Sequence, residues 1–103
     1  MKLTEEQITK LEEKGFKRWQ KPGIDRLYIN ASTLGLECDY YNTGNIKYAE
    51  FCGEHISNCH ARKLKAAKTY INVETGKLFG TEQLLINKAQ EIIDEVIGTE
   101  EEE

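Results

Sequence analysis

Apolar side chains recur at helical spacing in three parts of the chain and alternate with polar side chains between them. The helical stretches are residues 5–14, 58–68 and 82–97. Thr4 and Gln7 have the spacing of a capping box, so the first helix is expected to begin directly after Thr4. The last helix has the widest apolar face, which we expect either to cover a sheet or to join a second copy of the chain as a homodimer.

Alternation of apolar and polar residues predicts short strands in the middle of the chain. In residues 36–41, for example, Leu36, Cys38 and Tyr40 share the face expected to point inward. The other stretches with this pattern are residues 16–20, 25–30, 46–51, 70–73 and 77–79.

Cys52 and Gly53 follow the strand at 46–51, at the place of a two-residue hairpin turn. Such a turn needs positive φ angles, which cysteine adopts poorly. Either the turn is longer than two residues or the chain tolerates strain at Cys52.

These elements predict an α+β domain: a largely antiparallel sheet of five to seven short strands, covered by two or three helices. We expect a single domain over residues 1–98 and an acidic disordered end at 99–103. Residues 81–103 carry eight acids against one lysine, a charge of about −7, so the first 80 residues carry about +3. The net charge of −4 therefore hides a basic body.

Composition bears on where the protein works. The longest purely apolar run is Leu84-Leu85-Ile86, too short to span a membrane, so no membrane association is expected. The first residues lack the apolar segment of a secretory signal. Three cysteines, an odd number, favour free thiols over a disulfide framework. We therefore expect a cytoplasmic protein.

Four segments between Trp19 and Phe79 carry a resemblance to a known group of proteins: Asp25-Arg26-Leu27-Tyr28-Ile29-Asn30, Tyr41-Asn42-Thr43-Gly44-Asn45-Ile46, Ile56-Ser57-Asn58 and Thr69-Tyr70-Ile71-Asn72-Val73-Glu74-Thr75-Gly76-Lys77. The chain resembles small uncharacterised bacterial proteins of Gram-positive prophages and mobile elements. The resemblance contains no motif of known chemistry. It implies an accessory protein that binds something, and it carries over no catalytic residue.

A metal site is the sharpest chemical hypothesis, because Cys52, His55, Cys59 and His60 lie within nine residues. The spacing of Cys52 and His55 suits tetrahedral zinc. Cys59 and His60 are adjacent at a helix start, so their side chains point about 100° apart and are not expected to reach one ion together. We expect no cofactor, with Cys52, His55 and Cys59 as the ligands to examine.

Nucleic-acid binding is the alternative function, and it rests on basic residues near an aromatic one. Basic side chains neutralise phosphates, and an exposed tryptophan can stack on a base. The seven candidate residues form two clusters: Lys17, Arg18, Trp19 and Lys21 in the strand region, and Arg62, Lys65 and Lys68 on the second helix.

Catalysis has no motif to support it. The chain lacks the P-loop, GxSxG, HExxH and GxGxxG patterns. A dyad of Cys38 with His55 or His60 stays open, but Cys38 falls on the apolar face of its strand and is better interpreted as a core thiol.

A protein interface is the main functional prediction. Five tyrosines are many for 103 residues, and tyrosine is enriched at recognition surfaces. Tyr41 and Tyr48 are expected to lie near each other across the turn at residues 42–45. The sequence therefore predicts a small non-catalytic protein that binds a protein partner.

Overall fold

The computed structural model describes residues 2–98, which form three α-helices and seven strands in two antiparallel sheets. In chain order the elements are α1 (Glu5–Glu13), β1 (Lys17–Lys21), β2 (Ile24–Asn30), β3 (Glu37–Tyr40), β4 (Ile46–Phe51), β5 (Glu54–His55), α2 (Asn58–Ala66), β6 (Lys68–Asn72), β7 (Leu78–Gly80) and α3 (Gln83–Ile93), which continues as a π-helical turn (Asp94–Gly98). The fold is α+β, which confirms the predicted class. The acidic end predicted at residues 99–103 lies outside the described residues.

The strands divide between a four-stranded sheet and a three-stranded sheet. The four-stranded sheet has the order β1-β2-β6-β7, and the three-stranded sheet has the order β3-β4-β5. In the four-stranded sheet β2 and β6, far apart in the chain, are the central pair. The single predicted sheet is therefore two sheets. None of the helices within residues 2–98 has the length and apolar character that a bilayer span requires.

The core lies on one face of the four-stranded sheet. Leu27 pairs with Ile71, Ile29 pairs with Thr69, and all four side chains are buried. The buried faces of the three helices complete this core, with Leu11 of α1 among the residues they contribute. Because side chains alternate along a strand, the intervening residues of β2 and β6 point to the opposite face.

The start of α1 is held by the capping box that the sequence predicts. The Thr4 hydroxyl accepts a hydrogen bond from the Gln7 backbone N–H at 3.1 Å, and the Gln7 side chain accepts one from the Thr4 N–H at 2.9 Å. The helix ends before Gly15, whose φ of +115° reverses the chain. A Cβ at Gly15 would lie 2.5 Å from Thr33 Cγ2, so both backbone angle and space require glycine there.

The second helix is shorter than predicted, which changes the place of one candidate residue. Ser57 caps α2, but the helix ends at Ala66 and Ala67 is already extended. Lys68 is therefore the first residue of β6 and does not extend the basic face of α2. The β-branched and aromatic residues after it favour a strand, and pairing with β2 realises that preference.

The apolar face of the last helix is used within the chain. Leu85, Ala89, Ile92 and Val96 are all buried in the main core, where α3 packs on β6 and β7. The breadth of this face therefore gives no support to a homodimer. The N-cap of α3 is Glu82, and its side chain forms no capping hydrogen bond.

Tyr40 is 40% exposed, so it does not point inward as the strand pattern predicts. The pairing of β3 with β4 shifts register between Asp39 and Tyr40. A bulge of this kind breaks the simple alternation that sequence reasoning assumes.

The turn between β4 and β5 has only two residues, Cys52 (φ +52°) and Gly53 (φ +84°). Positive φ at both positions is the geometry of a type I′ turn, which favours asparagine or glycine at the first position. The chain therefore tolerates strain at Cys52.

We expect Cys52→Asn to raise the free energy of unfolding by about 0.5–1 kcal/mol, because asparagine adopts positive φ at lower cost. The matched control is Cys59→Asn, which replaces an exposed cysteine in the ordinary backbone of α2. Urea unfolding followed by circular dichroism measures both. A Cys52→Asn midpoint no higher than that of Cys59→Asn would contradict strain at the turn.

Candidate functional site

The face of the four-stranded sheet opposite the core carries aromatic and basic side chains from every strand. In the register, Trp19 lies beside Arg26, and Tyr70 lies between Tyr28 and Phe79. We call this surface the open face and define it by eight residues: Lys17, Trp19 and Lys21 of β1, Arg26 and Tyr28 of β2, Lys68 and Tyr70 of β6, and Phe79 of β7.

Three aromatic rings of the open face form a row across three strands. Tyr70 stacks on Phe79 with ring centroids 5.2 Å apart and an interplanar angle of 14°. Tyr28 lies on the other side of Tyr70 at 6.3 Å. Phe79 is 40% exposed and the tyrosines are half-buried. The row presents aromatic surface to solvent where a sheet would otherwise carry polar residues.

Cations sit among these rings. The guanidinium carbon of Arg26 lies 5.7 Å from the Trp19 ring centroid, 5.9 Å from that of Tyr70 and 5.3 Å from that of Phe79. Two further cation–π contacts on the open face join Lys21 to Trp19 and Lys68 to Tyr28, each with the ammonium 5.0 Å from the ring centroid. Such contacts hold a positive charge over an aromatic face without neutralising it.

The positive charge of the open face is not balanced locally. Among residues 2–98, none of its four cations forms an ion pair, and none of its eight residues is acidic. Elsewhere, basic residues do pair with carboxylates: Lys2, Lys10, Lys14, Arg18 and Lys47. The open face is therefore a positive surface on a protein of net charge −4.

A shallow cavity of about 240 Å³ lies within the open face, lined by Trp19, Tyr28, Lys68 and Tyr70. Two of these residues, Trp19 and Lys68, come from different predicted clusters. The fold brings them together because β2 pairs with β1 on one side and β6 on the other.

Arg18 belongs to the opposite side of the sheet, although the sequence groups it with Trp19. Its Nε donates to Asp25 Oδ1 at 3.0 Å, its Nη2 to Asp25 Oδ2 at 2.8 Å, and its Nη1 to Glu5 Oε2 at 3.1 Å. The hydrogen bonds from Arg18 hold the pKa of Asp25 below its usual range. Arg18 thus ties α1 to the sheet and is removed from the binding hypothesis.

Arg62 and Lys65 lie apart from the open face in a groove between α2 and the β3–β4 turn. Arg62 Nη2 donates to Asn45 Oδ1 at 3.2 Å, and the Lys65 ammonium donates to the Tyr40 hydroxyl. That hydrogen bond raises the pKa of Lys65. We call this the α2 groove; its volume is about 280 Å³ and its lining residues are Tyr40, Gly44, Ile46, Arg62, Lys65 and Ala66.

Tyr41, directly after β3, and Tyr48 of β4 are both exposed, at 58% and 37%, but within residues 2–98 their rings do not contact each other. The centroid of the Tyr41 ring lies 6.0 Å from the Lys47 ammonium nitrogen. Tyr48 packs edge-on against His55 at 5.2 Å and donates to the Glu50 carboxylate, which raises the pKa of Tyr48. The two tyrosines are accessible but separate.

The predicted metal ligands do not converge. In the described part of the chain, no group of three or more His, Cys, Asp or Glu side chains could hold an ion. Cys52 donates its thiol to the Leu34 carbonyl at 3.6 Å, and burial raises its pKa, which disfavours the thiolate that binds metals. His55 packs on Tyr48, and Cys59 is exposed on α2.

The candidate catalytic dyad is not assembled either. Cys38 is half-buried and packs with Ile46 and Ala49 in a small second core cluster. His60 Nε2 lies 3.3 Å from a Glu82 carboxylate oxygen. Cys38 therefore behaves as the core thiol that its strand position predicts.

Four residues of the open face were missing from the predicted site: Arg26, Tyr28, Tyr70 and Phe79. The signal for the first three was present in the strand pattern, since residues that alternate with a buried face must lie on the other one. Phe79 could not be assigned in this way, because the pairing of β7 decides which face it joins.

Comparison with protein-family models, with curated proteins and with solved structures found no match to this chain.

The Arg18–Asp25 pair should make stability depend on acid pH. The pKa of Asp25 is lower in the folded protein than in the unfolded chain, so its ionised form stabilises the fold above about pH 4. That contribution is lost as the pH falls through the lower folded value. We expect the stability of Asp25→Asn to fall less steeply below pH 4 than that of the wild type, as measured by urea unfolding at several pH values.

Arg18→Gln is the complementary variant, because loss of the guanidinium returns the pKa of Asp25 toward its ordinary value. It should flatten the acid limb in the same way. Parallel acid limbs for the wild type and both variants would show that the pair contributes no pH dependence.

Proposed function

We propose that this protein binds single-stranded nucleic acid on the open face. The observation that carries the proposal is the combination of an aromatic row with four cations that lack acidic partners. Aromatic side chains stack on unpaired bases, and basic side chains neutralise the phosphates that link them. A core surface would bury these rings, and a merely solvated surface would not need them.

The shape of the open face favours a single strand over a duplex. Four strands about 4.8 Å apart give a platform about 14 Å across, and its rings meet bases only if the bases are unpaired. Four-stranded sheets with exposed aromatics stack two or three bases in known RNA-binding domains. A flat sheet surface offers no helix or ribbon to enter the major groove of a duplex.

The side chains divide into two roles under this proposal. Tyr28, Tyr70 and Phe79 provide the stacking surface, and Trp19 lies beside Arg26 on β1. Arg26 lies in the middle, where a planar guanidinium can itself stack on a base or donate to its edge. The lysines surround these rings and are placed to contact phosphates.

The acidic net charge of the protein does not prevent nucleic acid from binding at the open face. Helix α3 packs on β6 and β7 from the core side, so the described acids of its outer surface, such as Glu91, lie across the sheet from the open face. Screening at physiological salt, about 8 Å, weakens repulsion over that thickness. What the nucleic acid meets is the local positive surface.

A protein partner bound through Tyr41 and Tyr48 stays a prediction. The exposure of both side chains supports it, but their rings do not form a joint surface. A binding role in a prophage or mobile element stays a proposal drawn from the resemblance of residues 19–79. The free state of Cys38, Cys52 and Cys59 supports the proposed cytoplasmic location, where thiols stay reduced.

Phe79→Ala should weaken binding to a single-stranded oligonucleotide about 5- to 150-fold, which corresponds to the loss of one stacked base. Tyr41→Ala is the matched control, because it also removes an exposed aromatic ring but lies in the turn between β3 and β4, away from the open face. Fluorescence anisotropy of labelled single-stranded DNA and RNA measures both. The only tryptophan, Trp19, gives a second readout through quenching of its fluorescence on binding.

The same titrations should distinguish a single strand from a duplex. A duplex of the same length should bind more weakly than the single strand and should respond little to Phe79→Ala. Equal losses for Phe79→Ala and Tyr41→Ala, or no binding of either strand type at low salt, would reject the open face as a nucleic-acid site.

Salt dependence tests the role of the lysines. Each phosphate neutralised on a single strand increases the magnitude of the negative slope of log affinity against log salt by about 0.7. The three lysines of the open face therefore predict a slope of about −2, and Lys68→Ala should reduce its magnitude by about 0.7. Titrations at several salt concentrations measure this. A slope that Lys68→Ala leaves unchanged would show that this lysine makes no phosphate contact.

A further inference from the structure

The α2 groove has the chemistry of an anion-binding site that can also accept a flat ring. It contains two cations and one tyrosine ring, and its lining includes the apolar side chains of Ile46 and Ala66. No acidic residue lines it. Its volume of about 280 Å³ is at the lower limit of ordinary ligand sites, which suits one small group such as a single nucleotide.

Both cations of the groove are positioned by neutral acceptors. Arg62 is held by the Asn45 side-chain oxygen, and Lys65 is held by the Tyr40 hydroxyl and lies 4.7 Å from the Tyr40 ring centroid. A neutral acceptor fixes the direction of a cation without cancelling its charge. Within residues 2–98 neither cation forms an ion pair, so both keep charge available for a phosphate.

The α2 groove is joined to the open face by the chain itself. Helix α2 ends at Ala66, Ala67 is extended, and Lys68 is already part of the open face. Lys65 and Lys68 are three positions apart in the chain, so their Cα atoms lie at most about 11 Å apart. Because α2 packs on the core side of the sheet, a nucleic-acid strand that passes Lys68 reaches Lys65 by crossing the end of the sheet at Lys68.

We infer that the α2 groove is a second contact for the same single strand, taking a nucleotide beyond those stacked on the open face. This inference rests on the proposed function. Lys65 and Arg62 contact the phosphate, and the Tyr40 ring lies against the base. The groove therefore makes affinity depend on the length of the strand, whereas the open face alone sets the affinity for short strands.

The test compares labelled oligothymidylates of about 4 and about 12 nucleotides, lengths that bracket ordinary site sizes on single-strand platforms. Lys65→Ala should weaken binding of the longer oligonucleotide by about threefold or more and reduce the magnitude of its salt slope by about 0.7. It should leave the shorter one unchanged. Arg62→Ala should give the same pattern. Lys65 and Arg62 are exposed, so neither substitution threatens the core.

Lys63→Ala is the matched control, because Lys63 is an exposed lysine of the same helix that does not line the groove. Equal effects of Lys65→Ala and Lys63→Ala on the longer strand would overturn the inference while leaving the proposed function intact. Equal effects of Lys65→Ala on both lengths would also overturn it, since the groove would then be part of the short-strand site. Failure of the wild type to bind either length would reject both proposals.

Discussion

The pairing of β2 with β6 is the constraint on which the rest of this structure depends. It joins residues 24–30 to residues 68–72 and makes them the centre of the four-stranded sheet. On one side it aligns Leu27 with Ile71 in the core, and on the other it aligns Tyr28 with Tyr70 on the open face. Because side chains alternate along both strands, neither face can change register without the other. The core and the candidate binding surface are thus two sides of one interaction.

The distribution of charge gives the two sides different roles. On the core side, Arg18 forms a bidentate pair with Asp25 and reaches Glu5 of α1, so its charge is used to hold a helix on the sheet. On the open side, Arg26 has rings as neighbours and no carboxylate among the described residues. Adjacent strands thus carry two arginines with opposite uses. A paired arginine fixes structure, whereas one held over rings keeps its charge for a ligand.

Much of the fold could be predicted from local pattern, and the errors have identifiable causes. The capping box at Thr4 and the shared face of Leu27 and Ile29 follow from spacing alone. Only the packing of α3 on β6 and β7 decided that the apolar face of the last helix covers the sheet. The predicted inward position of Tyr40 was wrong because the pairing of β3 with β4 shifts register between Asp39 and Tyr40. The helical position of Lys68 was wrong because pairing with β2 draws that residue into a strand, and strand pairing is a tertiary effect that no local window contains.

The candidate site shows the same division between local and tertiary information. By itself the sequence determined which aromatic and basic side chains are available to bind a nucleic-acid strand. The alternation of apolar and polar residues also determined that Arg26 and Tyr28 lie opposite the buried residues of β2. Only the tertiary structure decided that Trp19, Lys68 and Phe79 join them, since these residues come from strands whose neighbours are set by the sheet order. The tertiary structure also decided that Arg18 is not part of the open face. The physical reason is that hydrogen bonds between distant strands, together with burial of one face, determine which residues become neighbours, whereas sequence spacing determines only their direction.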